Sequence, residues 1–167
     1  MLNPKNYRIG NGIDVHKLVQ GEKFILGGIQ INSNNGILAH SDGDILIHAL
    51  VDSILGALSL GDLGTHFPSS DAKWKDADSI IFINEVMQLM ENQNYQINNI
   101  DITIILQRPA IKPNVPDMRE NIANACHIPI ESVSIKATTT DGLGSIGRGE
   151  GIAASAVVLL SDASNAS

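Results

Sequence analysis

Asp14 and His16 stand two apart in the run IDVH, and this spacing is the sharpest chemical feature of the chain. Side chains two apart in a strand leave the same face, their backbones about 6.6 Å apart. A carboxylate and an imidazole so placed can converge on one ion at about 2.0 to 2.2 Å. A lone D-x-H is ordinarily a solvated acid beside a surface histidine. Here two more histidines follow: His40 directly before a helical stretch, and His48 within it, four residues after Asp44 and four before Asp52. A histidine on an apolar helix is usually a hydrogen-bonded core residue. Either one, added to Asp14 and His16, would complete a three-ligand site with an open fourth position, the arrangement of catalytic zinc. Spacing leaves both open as the third ligand. His66 and His127 lack comparable company and read as structural.

A second set lies near the other end. Thr138, Thr139 and Thr140 close a strand-like run just before Asp141 and a series of glycines. Threonines favour strands for packing reasons alone, yet hydroxyls, closely approaching backbone and a carboxylate suit a metal-bridged diphosphate. The segment GDLGTHFPSSD, residues 61–71, joins glycines to carboxylates and hydroxyls and by itself reads as a surface loop. Gly142, Gly144 and Gly147 spell G-x-G-x-x-G. A dinucleotide turn with that spacing must open a helix and find an acid about 20 residues on. The residues after Gly147 are strand-like and leave no place for the second half of a βαβ unit, so the motif is rejected and the segment reads as a strand-turn-strand connection.

These residues need a frame to hold them. YRIGNGIDVH and FILGGIQIN read as strands, with a turn at Asn34-Asn35-Gly36. Ile45, Leu46, Leu50, Ile54 and Leu58 recur at helical spacing, with Ser41 or Asp42 as N-cap and an end near Gly61. After a loop from Asp62 to Asp76, a second helix is expected at about 78–92. A strand at 100–106 follows, then the proline-rich loop QRPAIKPNVP and a third helix at about 116–126. VSIKATTT and GIAASAVVLL read as closing strands. The order ββααβαββ predicts a single α+β or mixed α/β domain spanning residues 1–167.

Composition narrows the function classes. The chain has 167 residues, 43% apolar but only 4% aromatic, so its core must be built from Ile, Leu, Val and Ala. A net charge of −7 disfavours nonspecific nucleic-acid binding, there being no basic stripe to displace phosphate counterions. It also requires that a phosphate ligand be met by metal ions, backbone N–H groups or helix N-termini. No apolar run approaches the ~20 residues of a membrane helix, and residues 1–10 have no leader pattern. With Cys126 as the one cysteine, a reducing, cytoplasmic address is expected.

The stretches RIGNGIDVH, LGGIQI, LAHSDGDILIHALVDSILGALSLGDLG, FPSSD, KDADS, DITIILQRP and IKATTTDGLGSIGRGEGIA, in this order, resemble the 2-C-methyl-D-erythritol 2,4-cyclodiphosphate synthases of the non-mevalonate isoprenoid pathway. The resemblance spans nearly the whole chain and matches the stand-alone form in length, not the form fused to a cytidylyltransferase. It implies a sheet with helices on one face, and a homotrimer whose sheets face a threefold axis and whose active sites lie between subunits. It implies zinc held by Asp14, His16 and His48, with His40 and Ser41 at the substrate and His40 near the reacting phosphates. Asp62, Leu63 and Gly64 would hold the ribose, and Phe67, Pro68, Ser69, Ser70 and Asp71 would lie along the methylerythritol phosphate. Leu106, Gln107, Arg108, Pro109, Ala110, Ile111 and Lys112 would enclose the cytosine. Thr138, Thr139, Thr140 and Asp141 would bind the diphosphate and a Mg2+ or Mn2+ ion, with Thr139 stabilising the transition state. The zinc ligands would come from one subunit and the cytidine loop from the next. Ser145, Arg148 and Glu150 would lie at an axial cavity where isoprenoid diphosphates can bind.

The chain departs from the family pattern at several positions. Members usually carry His at Asn11, an aromatic at Ile13, an acid at Ser69, Glu at Asp141 and Phe at Ser145. Ala110 stands where a lysine often follows the proline, with Lys112 nearby. The two missing aromatics would otherwise help wall the axial cavity.

Overall fold

The computed structural model describes residues 7–75 and 77–163. Residues 1–6, part of the stretch read for a leader, and Asp76, the expected end of the loop after Asp62, lie outside the described residues. Strand β1 runs Tyr7–Gln20, β4 Asn35–Leu38, β5 Tyr95–Ile105, β6 Val133–Thr138 and β7 Gly151–Asp162. They form one sheet in the order β4-β1-β7-β5-β6, antiparallel throughout except for the parallel pair β5-β6. Helices α1 (Ile45–Leu58), α3 (Ile80–Asn92) and α4 (Val115–Ala125) cover one face, and α2 (Leu63–His66) is a single turn. This is the α+β arrangement expected.

Period-two alternation decides which face is covered. Ile100, Ile102 and Ile104 of β5 and Ile152, Ala154, Ala156, Val158 and Leu160 of β7 are buried against the helices. In β1 the inward row begins Gly10, Gly12, Asp14, His16. The outward row keeps Ile9 74%, Ile13 63% and Val15 62% exposed, joined by Val157 of β7.

Glycine in the inward row is dictated by closeness. A Cβ on Gly10 would sit 1.7 Å from the Ser53 carbonyl oxygen, and one on Gly12 would sit 2.0 Å from that of Ala49. Helix α1 therefore lies backbone to backbone on β1, with its first turns beside Asp14. Almost all of α1 is buried, as its uninterrupted apolar run ILIHALVDSILGAL requires.

Several expectations are corrected. Residues 24–32 form not one strand but a hairpin, β2 (Ile25–Leu26) and β3 (Ile29–Gln30), turning at Gly27-Gly28. The Asn34-Asn35-Gly36 turn is largely strand, since Asn35 and Gly36 begin β4 and pair with Gln20 and Val19. The N-cap of α1 is neither Ser41 nor Asp42. It is Asp44, whose carboxylate accepts from the N–H groups of Ile47 (3.2 Å), Gly27 (2.9 Å) and Gly28 (2.6 Å), tying the hairpin to the helix start. Burial pushes the Asp44 carboxyl up, and these three bonds work against that rise. The connection after Thr138 is not a plain turn: α5 (Gly144–Gly147) is one helical turn, and a Cβ on Gly147 would meet the Gly142 carbonyl carbon at 2.2 Å. Gly147 serves that tight packing while Gly142 and Gly144 take positive φ of 80° and 68°, and β7 returns antiparallel to β5, unlike a dinucleotide fold. No helix among the described residues is long and apolar enough to cross a membrane.

Two outcomes test this packing. Gly12→Ala is expected to destabilise by at least about 2 kcal/mol in urea unfolding. Gly56→Ala, where the nearest atom to an added Cβ is 3.8 Å away, should be neutral or stabilising. Burial pushes the Cys126 thiol up to about 12, so almost no thiolate exists at pH 8. Cys126 should then react with an aromatic disulfide reagent only as the protein unfolds; fast labelling of native protein would contradict this.

Candidate active site

At the open end of the α1–β1 contact, Asp14, His16 and His48 converge. Asp14 Oδ2 lies 3.0 Å from His16 Nε2 and 3.0 Å from His48 Nδ1, and the ligand atoms of all three lie within 4.8 Å of one another. Asp14 and His16 share a face because they are two apart in β1, and α1 brings His48 onto the same point. The alternative left open by spacing is thereby decided: His48, not His40, joins the pair.

The far side of each imidazole is held. His16 Nδ1 lies 3.1 Å from the Leu38 carbonyl oxygen, which can only accept, so this nitrogen carries a proton and Nε2 is the nitrogen turned to Asp14. His48 Nε2 lies 3.0 Å from Ser79 Oγ and 3.2 Å from Ser41 Oγ. The Phe82 ring, 6.0 Å from that of His48, packs with Phe67 and Trp74 below it.

Electrostatics favour a cation here. Burial alone would raise the Asp14 carboxyl, but hydrogen bonds and charge from His16 and His48 outweigh it and hold it well below the usual carboxylate range. The Asp14 bond in turn raises His16, against partial burial. One carboxylate and two imidazoles, with far nitrogens anchored, form a donor set that fits a divalent metal. A tetrahedron of ~2.1 Å bonds has edges of about 3.4 Å, close to the 3.0 Å from Asp14 Oδ2 to each of the two imidazole nitrogens.

The triad opens into a cavity of about 330 Å3. His40, Ser41, Asp62, Leu63, Gly64, Phe67 and Ser69 line it. Pro68, Ser70 and Asp71 do not. Asp71 instead accepts from Lys73 N–H at 2.9 Å, capping a 3-10 turn at Ala72–Trp74. Asp62 caps α2, accepting from the Thr65 N–H (2.8 Å) and hydroxyl (2.7 Å). Those bonds lower its carboxyl pKa. His66 turns away to the Leu60 carbonyl oxygen at 2.9 Å, the structural role expected.

The second set forms a separate cavity of about 390 Å3, walled by the whole loop from Leu106 to Lys112 together with Thr138 and Thr139. Thr139 Oγ1 donates to Asp141 Oδ1 and accepts from Asp141 N–H, each at 3.2 Å. Thr140 spends its hydroxyl on the Leu143 carbonyl oxygen at 2.7 Å. Gln107 Oε1 accepts from Gly142 N–H at 3.2 Å, fastening the loop to the glycine turn. Ser145 lines a third, shallower cavity with Val15 and Lys17 of the outward sheet face. Arg148 is paired with Glu150, Nε to Oε1 at 2.7 Å. Within one chain, then, the triad and the loop face different cavities.

Sequence reasoning missed Asp52, Ala39 and Trp74, which also line the first cavity. Asp52 Oδ1 accepts from the Leu63 N–H at 2.6 Å and so fixes the start of α2. Its i+4 spacing from His48 was the available signal. Ser79, in sequence 31 residues from His48, offered none.

An Asp-His-His donor set at the mouth of a cavity, in an α+β domain, defines a candidate metal site of the kind metal-dependent enzymes use. Residues 7–161 match the model of the YgbB family. The 2-C-methyl-D-erythritol 2,4-cyclodiphosphate synthase of Salinibacter ruber is 50% identical over 156 residues, covering 93% of this chain and 99% of that protein. The IspF of Plasmodium falciparum, solved as a CDP complex, superposes with a TM-score of 0.84 at 38% identity, covering 96% of this chain and 99% of that one. The bifunctional IspDF of Campylobacter jejuni superposes with a TM-score of 0.90 at 39% identity, this chain spanning 42% of it. The chain belongs to the YgbB family, as its sequence motifs implied.

Titration with zinc should find one ion per chain at the triad. Asp14→Asn, His16→Ala and His48→Ala should each weaken it by more than the ~10–100-fold that loss of a supporting hydrogen bond costs. A His48→Ala protein that holds zinc as tightly as wild type would remove His48 from the ligand set.

Proposed function

We propose that this protein converts 4-diphosphocytidyl-2-C-methyl-D-erythritol 2-phosphate to 2-C-methyl-D-erythritol 2,4-cyclodiphosphate and CMP, a lyase step of non-mevalonate isoprenoid biosynthesis. The observation that carries this is the convergence of Asp14, His16 and His48 beside a cavity, in a chain half identical over nearly its full length to a synthase of that name. An oxygen of the 2-phosphate attacks the β-phosphorus. The bond from that phosphorus to the bridging oxygen breaks, and CMP leaves with the electron pair. No protein nucleophile is needed, so catalysis is positioning and charge stabilisation.

The residues divide the work. Asp14, His16 and His48 hold a metal, for which we favour zinc; Thr139 and Asp141 face a second cation, Mg2+ or Mn2+. When bound, these ions supply positive charge to the attacking and transferring phosphates. His40 and Ser41 sit beside the triad to orient the 2-phosphate. The Asp62–Gly64 turn takes the ribose, the Asp62 carboxyl being lowered by its Thr65 bonds. Phe67, Pro68, Ser69, Ser70 and Asp71 flank the methylerythritol phosphate. The loop from Leu106 to Lys112 encloses the cytosine, while Thr138, Thr139 and Thr140 contact the diphosphate. Two dications and the Thr139 hydroxyl would supply, at the site, the local positive field that a chain of net charge −7 otherwise lacks.

The separation of the two cavities supports active sites shared between subunits. One chain contributes the triad and the next the cytosine loop, in a homotrimer packed through the outward sheet face. Ser145 and Arg148 would then sit near the threefold axis, at a cavity open to isoprenoid diphosphates but lacking two aromatic walls. The chain acts as a single cytoplasmic domain over residues 1–167.

Purified protein given the cytidyl substrate with zinc and magnesium should release CMP and cyclic diphosphate in equal amounts. Thr139→Ala should lower kcat by roughly 10²–10³-fold, the typical cost of one transition-state donor. Orthophosphate in place of the cyclic product would mean a hydrolase instead.

A further inference from the structure

Three carboxylates line the first cavity, and two have a task already: Asp14 belongs to the donor set and Asp62 caps α2. The third, Asp52, is half-buried and adds negative charge to a wall that would face phosphates. By charge alone it opposes an anionic ligand. Its contact points to a different role. Asp52 Oδ1 accepts from the N–H of Leu63, 11 residues along the chain, at 2.6 Å, and Leu63 opens α2. That short helix needs an outside hold, because a single turn costs more to nucleate than its few hydrogen bonds return. Asp62 shapes the turn by accepting from the Thr65 N–H and hydroxyl, but those bonds stay within it. At the far end, buried Phe67 packs on Trp74 and Phe82, with ring centroids 5.1 and 4.6 Å away. Just before the turn, Gly61 bends the chain at φ 91°. Among the described residues, the bond to Asp52 is the one hydrogen bond that ties this turn to α1.

Asp52 also stands four residues after His48 in α1, on the same face and about 6 Å further along the axis. One helix therefore carries both an imidazole of the triad and the anchor of the turn. We propose that Asp52 is a positioning residue for nucleotide binding: through the Leu63 N–H it holds the Asp62–Gly64 turn at a fixed distance from the triad, so that a nucleoside held there by its ribose directs its phosphates toward the triad. The inference rests on the ribose-binding role given to that turn above, and adds the residue that sets where the turn stands. The hydrogen bond and the charge of Asp52 act with opposite signs. Removing a negative charge from the wall favours an anionic nucleotide, whereas removing the anchor lets the turn drift from α1 and weakens binding.

Two variants separate these effects. Asp52→Ala lacks both charge and acceptor; Asp52→Asn lacks the charge but keeps a carbonyl oxygen that can accept from Leu63. Hydrogen exchange at the Leu63 amide, followed by 15N NMR, reads the anchor with no ligand present. It should be about ten-fold faster in Asp52→Ala than in wild type, and close to wild type in Asp52→Asn. Calorimetric titration with CDP, in zinc and magnesium, reads the nucleotide. Its Kd should rise about ten-fold in Asp52→Ala, the worth of one such bond, and stay at or below the wild-type value in Asp52→Asn. Zinc affinity, measured by competition with a chromophoric chelator, should be equal in the two variants, since both lose the same charge and neither loses a ligand. An Asp52→Ala protein that binds CDP as tightly as Asp52→Asn, or whose Leu63 amide exchanges as slowly as in wild type, would overturn the proposal. So would weaker CDP binding by Asp52→Asn than by wild type, a result that makes charge the active property and needs no alanine variant. Wild-type protein that binds zinc but not CDP would instead sink the function proposed above, and the role of Asp52 with it.

Discussion

The backbones of β1 and α1 meet at Gly10 and Gly12 with no side chain between them. A helix normally packs on a sheet through a layer of side chains, and removing that layer at Gly10 and Gly12 draws α1 down onto β1. Because the inward row of β1 continues through Asp14 and His16, and the helix starts beside them, this contact sets the distance from Asp14 to His48. The two glycines contribute no chemistry, yet the spacing of the donor set depends on them.

Around that contact, polar groups at the start of α1 are all engaged. Asp44 is fully buried and holds the β2–β3 hairpin through two N–H groups while capping the helix. Asp42 takes three donors from two segments. Asp52, at the other end of the cavity, holds α2. A buried carboxylate is costly unless it gathers donors, and each of these does so by binding a different piece of chain to α1. The site is therefore rigid on its helical side. The loop from Leu106 to Lys112 belongs to another wall, fastened by Gln107 to the glycine turn.

Charge is arranged locally against the general sign of the molecule. The chain is acidic, and Asp14, Asp52 and Asp62 all face the first cavity. Asp52 is raised by burial and by its acidic neighbours, whereas Asp14 is held ionised by the histidines. A polyphosphate approaching such a wall meets repulsion that bound cations would offset, which would couple metal loading to phosphate binding.

Most of the long elements were legible in the sequence, because period 3.6 in ILIHALVDSILGAL and period 2 in the strands reflect burial on a defined face. Asp14 and His16 could be paired from spacing alone, since a strand places residues two apart together without help from the rest of the chain. The short pieces were not legible: a two-residue strand such as β2 exists only because Asp44 anchors its turn, and no local pattern records that. The choice between His40 and His48 was likewise closed to spacing and was supplied by family resemblance, because it depends on how α1 lies on β1. Ser79 shows the limit most clearly. Its sequence context is an ordinary helix start, and its place against His48 and Asp42 arises from three segments meeting in space. The sequence determined which residues could hold an ion and which faces had to be buried; only the tertiary structure decided how His48 is turned toward Asp14 and what holds it there, because that orientation is carried by contacts between residues distant along the chain.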